Sequence, residues 1–148
     1  MSDIRITFKT LLITEVHHTL FSEESNISEK GLTTEMQFGS HLDSSNTKRF
    51  RVNFDLTLKE DGHFMSTIKA IALFETSEEV NEEFVTSPFF KANAPAIAYP
   101  YLRAFISTFT LNSGIDPIIL PTFNFLRAVK QAENELRKQD EDRNKEVD

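Results

Sequence analysis

Cysteine and tryptophan are absent from this chain of 148 residues, and glycine occurs only four times. Without cysteine the chain forms neither a disulfide framework nor a zinc site built on thiolates, which suits a reducing compartment. Four glycines leave little material for a glycine-rich phosphate loop, and no GxSxG or HExxH motif is present. These absences argue against the common hydrolase, metalloprotease and nucleotide-binding signatures.

Long apolar runs are also lacking. No stretch reaches the roughly 18 apolar residues of a membrane span, and residues 1–21 show neither the basic start nor the apolar block of a signal peptide. We therefore expect a cytoplasmic protein without membrane insertion. The net charge of −7 argues against nucleic acid as a partner, because phosphate binding needs clustered lysine and arginine. The length predicts a single domain over residues 1–148.

Few side chains remain as candidates for metal or acid–base chemistry. The four histidines are His17, His18, His41 and His63. The first two are neighbours on a predicted strand, so their side chains point to opposite faces and cannot chelate one ion together. Arg103 is the one charged residue within the apolar stretch 94–111, and we interpret it as reaching a helix-end carbonyl or a carboxylate. We therefore expect no enzyme, no cofactor and no metal site.

Phenylalanine is abundant, with 14 residues, and 39% of the chain is apolar, which predicts a folded core rather than disorder. Alternating apolar residues predict four strands, at about Asp3–Phe21, 34–42, 49–59 and His63–Phe74. Glu60–Gly62 joins the last two as a hairpin turn, since Asp-Gly tolerates positive φ. We predict a meander of strands two, three and four, with strand one beside strand four.

Three stretches depart from simple alternation. Leu11 and Ile13 make the second face of the first strand apolar, which predicts either cover on both sides or a β-bulge. The run Ala70–Phe74 loses its alternation, which predicts that this half of the fourth strand is covered on both faces. The five glutamates of Glu75–Glu83 predict a short acidic helix with a solvated face.

The stretch Ala94–Val129 carries the least ordinary pattern. We expect its helix to be capped by Asn93 and stopped at residues 112–114. Its apolar residues do not form one stripe, because Ile97, Tyr101 and Phe105 lie on one side and Leu102, Ile106 and Phe109 on another. One sheet cannot cover both sides, which predicts a second protomer. The isoleucine-rich loop 114–121 that follows is either sticky surface or tightly packed.

A second helix is predicted to start near residues 122–124, with an apolar stripe through Phe125, Val129 and Leu136. Beyond Leu136 the sequence is almost wholly polar, which predicts that the helix frays into a mobile charged tail at about 138–148. The predicted fold class is therefore α+β, a four-stranded antiparallel sheet followed by two C-terminal helices packed on it.

An ordered set of motifs fills residues 94–125. It consists of Pro100-Tyr101-Leu102-Arg103, Gly114, Pro117, the apolar Ile118–Leu120, Pro121 and Asn124-Phe125. This order resembles the signature of the SecB family of bacterial protein-export chaperones, in which a Pro-Tyr-x-Arg element in an apolar helix precedes a glycine, a proline, an apolar stretch and Pro-x-x-Asn-Phe. The succession of four strands and two helices, the crossover after the first strand and the acidic charge agree with that family.

The resemblance implies an ATP-independent holdase that keeps unfolded precursor polypeptides competent for export and hands them to the SecA motor for translocation. It also implies a homotetramer, a dimer of dimers with the apolar helices between the sheets. The predicted oligomer interface comprises Tyr101, Leu102, Phe105, Ile106 and Phe109. The implied client groove lies between the second strand, the second helix and the crossover loop, and it comprises Met36, Phe38, Phe123, Phe125, Val129, Ile27 and Leu32.

Several alternatives stay open. In the family, acidic residues on the exposed sheet face help to dock SecA, but the matching position here is Thr67, with Lys69 beyond it. Glu23 and Glu24 retain an acidic spot after the first strand and are the candidate SecA contacts. A SecB-like chaperone for a toxin–antitoxin system or for another fixed partner fits equally well, and a small α+β ligand-binding domain is a further alternative. In another reading, Phe125 and Val129 only seat the second helix on the sheet.

Overall fold

In the computed structural model, which describes residues 3–22 and 31–147, a four-stranded sheet precedes the helices. The strands are β1 (Ile6–Leu20), β2 (Thr33–Leu42), β3 (Arg49–Glu60) and β4 (Phe64–Thr76). The helices are α1 (Glu82–Thr86), α2 (Ala94–Asn112), which a π-helical turn over Phe89–Asn93 precedes, and α3 (Phe125–Val147). The predicted α+β fold class is confirmed.

The sheet is antiparallel throughout, in the order β1-β4-β3-β2. This order confirms the predicted meander and the return of β1 beside β4. The β3–β4 turn contains Gly62 with φ of 77°, the positive value that favours glycine at this position. The register between β3 and β4 follows from this tight turn.

Two irregularities in β1 explain its second apolar face. The pairing with β4 shifts register between Phe8 and Thr10 and again between Ile13 and Glu15. The first shift turns Leu11 and Ile13 towards the same face as Phe8, because each extra residue reverses the alternation. Of the two predicted explanations, the structure therefore shows the bulge.

The core lies on one face of the sheet. The alternate residues of β3 that point to it are at most 2% exposed, namely Phe50, Val52, Phe54, Leu56 and Leu58. Leu102 and Ile106 of α2 are fully buried in the same core. We call this the covered face of the sheet and the opposite one the open face.

The second half of β4 differs from its prediction. Ala70, Ala72 and Phe74 are buried on the covered face, whereas Ile71 and Leu73 point to the open face, are only half-buried and lie outside the core cluster. The predicted cover on both faces is therefore wrong within one protomer. The apolar run instead gives the open face two aliphatic side chains that no part of the core cluster contacts.

The helix ends agree with the sequence in part. The predicted cap at Asn93 is wrong, because this residue has helical dihedral angles, continues from the π-helical turn and makes no capping hydrogen bond. Side-chain caps occur instead at Asn81, which accepts from the Phe84 amide at 3.0 Å, and at Asn124, which accepts from the Arg127 amide at 2.9 Å. The predicted stop of α2 is confirmed by its end at Asn112.

The acidic segment and the last helix also differ from expectation. Only residues 82–86 of the acidic region form a helix, α1. The last helix, α3, continues to Val147, past the point near residue 138 at which a tail was expected. Every described residue from Lys130 onward is exposed, so this part of α3 extends from the domain without packing on the sheet.

Candidate functional site

Four aromatic rings meet on the covered face, where β2, α2 and the start of α3 come together. Phe125 lies at the centre, with ring centroids 4.8 Å from Phe38, 4.7 Å from Phe123 and 5.3 Å from Tyr99. All three pairs adopt an edge-to-face arrangement, which the quadrupoles of the rings favour. We call these four residues the aromatic cluster.

Local structure fixes each member of the cluster. Phe38 lies opposite Phe54 in the β2–β3 register, so the pleat turns it to the covered face. The Tyr99 hydroxyl donates to the carbonyl oxygen of Pro121 at 2.6 Å, which ties α2 to the segment that leads into α3. Burial raises the pKa of Tyr99 above its ordinary value of 10.0, against the weaker opposite effect of Arg103.

One edge of the aromatic cluster reaches solvent. Phe125 is 3% exposed, whereas Phe123 is 37% exposed and its neighbour Leu126 is 42% exposed. Beside them a cleft of about 440 Å³ runs between α3 and the region around Ala92 and Ala96. We call this the helix cleft. Its walls combine aromatic and aliphatic side chains that an apolar segment of another chain can cover.

A second apolar cleft, of about 330 Å³, lies between the β3–β4 turn and the loop that follows α2. Leu32 and Ile119 flank it and are 44% and 74% exposed. A Glu60–His63 pair, with Oε2 and Nδ1 separated by 3.0 Å, also lines it. We call this the hairpin cleft.

The loop that borders the hairpin cleft is held from inside. The Thr110 hydroxyl donates to the Ile106 carbonyl at 2.7 Å and accepts from the Ile118 amide at 2.9 Å. Ile118 is consequently buried and Ile119, the next residue, is exposed. The loop was predicted to be either sticky surface or tightly packed. Ile118 is tightly packed, whereas Ile119 is exposed, and its binding to another molecule stays a prediction.

The described members of the predicted client set differ in their burial and in the cleft that they line. Phe123 lines the helix cleft and Leu32 the hairpin cleft, while Met36, Phe38 and Val129 are half-buried against the core between them. Phe125 is buried, packs its ring on Phe38 and also lines the helix cleft, so its client role and the alternative, in which Phe125 and Val129 only seat α3 on the sheet, both stay predictions. Ile27 lies outside the described residues. The contribution of these residues to client binding stays a prediction.

Three residues of these surfaces were not among the predicted ones. Tyr99 was included in the apolar helix, but only its distance from Phe123 and Phe125 in space reveals its role. Ile119 lay in the loop already considered sticky. Leu126 follows Phe125 directly, and its exposure depends on which side of α3 meets the sheet, which a stripe of so few apolar residues does not specify.

The predicted interface helix, α2, shows two kinds of apolar side chain. Leu102 and Ile106 are fully buried within the protomer, so they are core residues and a second copy cannot contact them while this fold persists. Tyr101 is 53% exposed, and its ring stacks on the ring of Phe8 in β1 with the centroids 4.4 Å apart. Phe105 and Phe109 are half-buried and stack on each other at 5.7 Å. The predicted interface therefore narrows to these three.

Comparison with known protein families gives one match that covers most of the chain. Residues 22–135 match the family described as preprotein translocase subunit SecB. The chain belongs to the SecB family. The resemblance that the motifs of residues 94–125 indicated is thereby confirmed.

One solved structure agrees with this family at the level of the fold. A SecB-like chaperone of Mycobacterium tuberculosis, solved in complex with a ChAD peptide from the HigA1 antitoxin, superposes with a TM-score of 0.60 and 17% identity over 80% of this chain and 90% of that one. A protein of unknown function from Streptococcus agalactiae gives a TM-score of 0.49 and 11% identity over 82% of this chain and 100% of that one.

A sequence relative covers a shorter part. An uncharacterized protein of Methanocaldococcus jannaschii is 40% identical over 58 residues. This match spans 39% of the present chain and 36% of the length of that protein.

Membership in the SecB family, together with the fold shared with a SecB-like chaperone, supports a chaperone role.

The remaining sequence predictions concern metal ions, the partner of Arg103 and membrane insertion. Among residues 3–22 and 31–147, no three histidine, aspartate or glutamate side chains lie close enough to share a metal ion. In the same part of the chain, Arg103 Nε is buried without a hydrogen-bond partner, so this atom makes neither of the two contacts, to a helix-end carbonyl or to a carboxylate, that were predicted for the Arg103 side chain. No described helix is long and apolar enough to cross a membrane.

The candidate SecA contacts Glu23 and Glu24 lie outside the described residues. Thr67 and Lys69, which occupy the region where SecB proteins carry acidic docking residues, point to the open face of β4. Lys69 Nζ lies 3.5 Å from an oxygen of Glu15 on β1. The open face at this point therefore carries an exposed ion pair, and not an unpaired carboxylate.

Proposed function

We propose that this SecB-family protein is an ATP-independent cytoplasmic holdase that binds unfolded precursor polypeptides and keeps them competent for export. The observation that carries the proposal is the exposed edge of the aromatic cluster, at which Phe123 and Leu126 flank the helix cleft. Aromatic and aliphatic side chains in an open cleft suit an extended apolar segment of variable sequence. A cleft also limits contact with another folded protein, since only a narrow chain segment enters it.

The first experiment tests holdase activity. The purified protein should suppress the aggregation of several unrelated unfolded proteins, measured by light scattering without any nucleotide. Suppression that requires ATP, or that is missing for every unfolded protein tried, contradicts the proposal.

A second experiment locates the client surface. The double variant Phe123→Ala/Leu126→Ala should weaken binding of unfolded clients at least about fivefold, which corresponds to about 1 kcal/mol, without a large change in melting temperature. Leu136→Ala is the matched control, because Leu136 is 62% exposed on the same helix but does not line the helix cleft. Equal client binding by both variants and the unmodified protein places the client surface elsewhere.

A chaperone with one fixed partner is the second candidate. It is favoured by the fold match to a SecB-like chaperone solved with an antitoxin peptide. Such a protein would bind one segment tightly and leave unrelated unfolded proteins to aggregate. The number of clients in the light-scattering experiment therefore separates the two candidates.

We further propose a homotetramer, a dimer of dimers, with the exposed side of α2 at an interface. Ile97, Tyr101 and Leu111 are 43%, 53% and 58% exposed on this helix, and an uncovered apolar helix side commonly marks a contact. Tyr101→Glu should reduce the sedimentation coefficient, whereas Gln139→Glu, an equal change of charge at an exposed residue of α3, should not. An unchanged oligomer in Tyr101→Glu removes α2 from the interface.

Delivery of clients to SecA belongs to the same proposal, with Glu23 and Glu24 as the candidate contacts. Because the corresponding region of β4 carries Thr67 and a paired Lys69, we expect weak SecA binding that falls steeply with salt, since exposed charges are screened. Tight binding that is insensitive to salt contradicts this expectation.

A further inference from the structure

The open face of the sheet points away from α2 and from both clefts. Its charged side chains come from all four strands. They are the basic Lys9, Arg49, Arg51, Lys59 and Lys69 and the acidic Glu15, Glu35, Asp55 and Glu75. This face thus carries slightly more basic than acidic groups in a chain whose net charge is −7.

The basic groups are densest at one end of this face. Lys9 and Arg49 share Glu75, each with a nitrogen 3.7 Å from one of its oxygens. Arg51 is exposed and, within the described part of the chain, makes no ion pair. The three cations and Glu75 line a cleft of about 620 Å³, which we call the basic cleft.

The second acidic residue of the basic cleft already accepts hydrogen bonds from its own turn. Asp43 accepts from the Ser45 amide at 2.9 Å and from the Ser45 hydroxyl at 2.7 Å. These bonds hold the pKa of Asp43 below its ordinary value. The carboxylate thus stabilises its own turn, and Arg51 remains unneutralised in the cleft.

Apolar side chains adjoin the basic cleft. Leu73 lines it, and Ile71 follows on the same face of β4, opposite Leu12 of β1, which is 45% exposed. The loss of alternation in this part of β4 predicts cover on both faces, yet no part of the core covers Ile71 and Leu73. A strip of three aliphatic side chains beside three cations is therefore left for a second molecule to cover.

We infer that the open face docks an acidic segment of a partner protein. Its carboxylates meet Arg51, Arg49 and Lys9, and its apolar side chains cover Leu73, Ile71 and Leu12. Charge complementarity selects the sign of the partner, and the aliphatic strip favours polypeptide over nucleic acid, whose backbone offers no apolar groups to cover it. The face lies on the other side of the sheet from the helix cleft, so a client and this partner can be bound together. The inference does not rest on the proposed holdase function.

Fluorescence anisotropy with two labelled synthetic peptides tests the inference. One peptide alternates glutamate with leucine and phenylalanine, and the other has lysine in place of each glutamate. We expect the acidic peptide to bind and to weaken with salt. Its affinity should fall at least about tenfold in Arg49→Glu/Arg51→Glu but less than about threefold in Arg137→Glu/Lys138→Glu, which changes the net charge equally on the exposed part of α3.

A single substitution shows whether loss of peptide binding results from loss of the fold. Because Arg51 has no ion pair to lose, Arg51→Glu should keep the circular dichroism spectrum while weakening the acidic peptide, as should Leu73→Ser. The inference is overturned by equal affinity in the reversed and control variants, or by no binding of the acidic peptide up to about 1 mM. Binding of duplex DNA by the unmodified protein that disappears in Arg51→Glu assigns the face to nucleic acid instead. A sedimentation coefficient that differs between Arg51→Glu and the unmodified protein assigns the face to a second copy of the chain.

Discussion

The covered and open faces of the sheet are built from alternate residues of the same strands, yet they differ in burial and in polarity. Phe54 is 1% exposed in the core, while Asp55, the next residue of β3, is exposed on the open face. Burial of apolar area stabilises the fold on one side only. The open face contributes little to folding, so its residues are free to serve recognition. This separation allows one short sheet to carry a core on one face and, on the other, the docking surface that we infer.

The largest expected effect tests this contrast directly. Phe54→Ala should lower the free energy of unfolding by about 3–5 kcal/mol, because it removes a buried ring and leaves a cavity. Asp55→Ala, its neighbour on the other face, should change it by less than about 0.5 kcal/mol. Urea denaturation of both variants measures the difference. Similar losses at the two positions would mean that the open face is covered in solution.

A smaller effect is expected where the covering layer is held together. Thr110→Val leaves the Ile118 amide without its acceptor in a buried site, which should cost about 1–3 kcal/mol. Thr108→Val, an exposed substitution two residues earlier, is the control. If Thr110→Val is neutral in urea denaturation, the loop does not depend on this bond.

The smallest effect concerns Tyr99, a polar side chain of the aromatic cluster. Since burial raises its pKa in the folded protein, its contribution to stability is intact below the unfolded value of 10.0. The contribution then declines as rising pH deprotonates the unfolded state first. Ultraviolet titration of Tyr101→Phe, in which Tyr99 is the remaining tyrosine, should give a higher pKa in buffer than in urea. Equal pKa values would show that water reaches this phenol.

The sequence predicted the strands and their order well because one face of each is apolar and the turns are distinctive. The break in β1 was visible at Leu11 and Ile13, but alternation alone could not separate a bulge from cover on both sides. Only the pairing with β4 reveals the extra residues. The same ambiguity at Ile71 and Leu73 led to the wrong prediction, since an apolar run places apolar side chains on both faces of a strand but does not show that the chain itself covers the second face.

Helix α2 shows a second limit. Its periodicity placed Leu102 and Ile106 on a distinct side but could not say whether a sheet of the same chain or another copy covers that side. The end of α3 shows a third limit. Its polar residues are mostly strong helix formers, so a pattern without apolar residues was mistaken for the loss of the helix.

The unsupported part of α3 has a consequence for the rates at which its amide hydrogens exchange with solvent. Isolated helices of this length are marginal in water, and past the Lys91–Glu133 contact of 2.9 Å no described side chain of α3 is buried. Amides after Glu133 should therefore exchange through local fraying, while those near Phe125 wait for larger openings of the domain. Mass spectrometry should show deuterium entering this helix from its far end, in a gradient that stops where the helix meets the core.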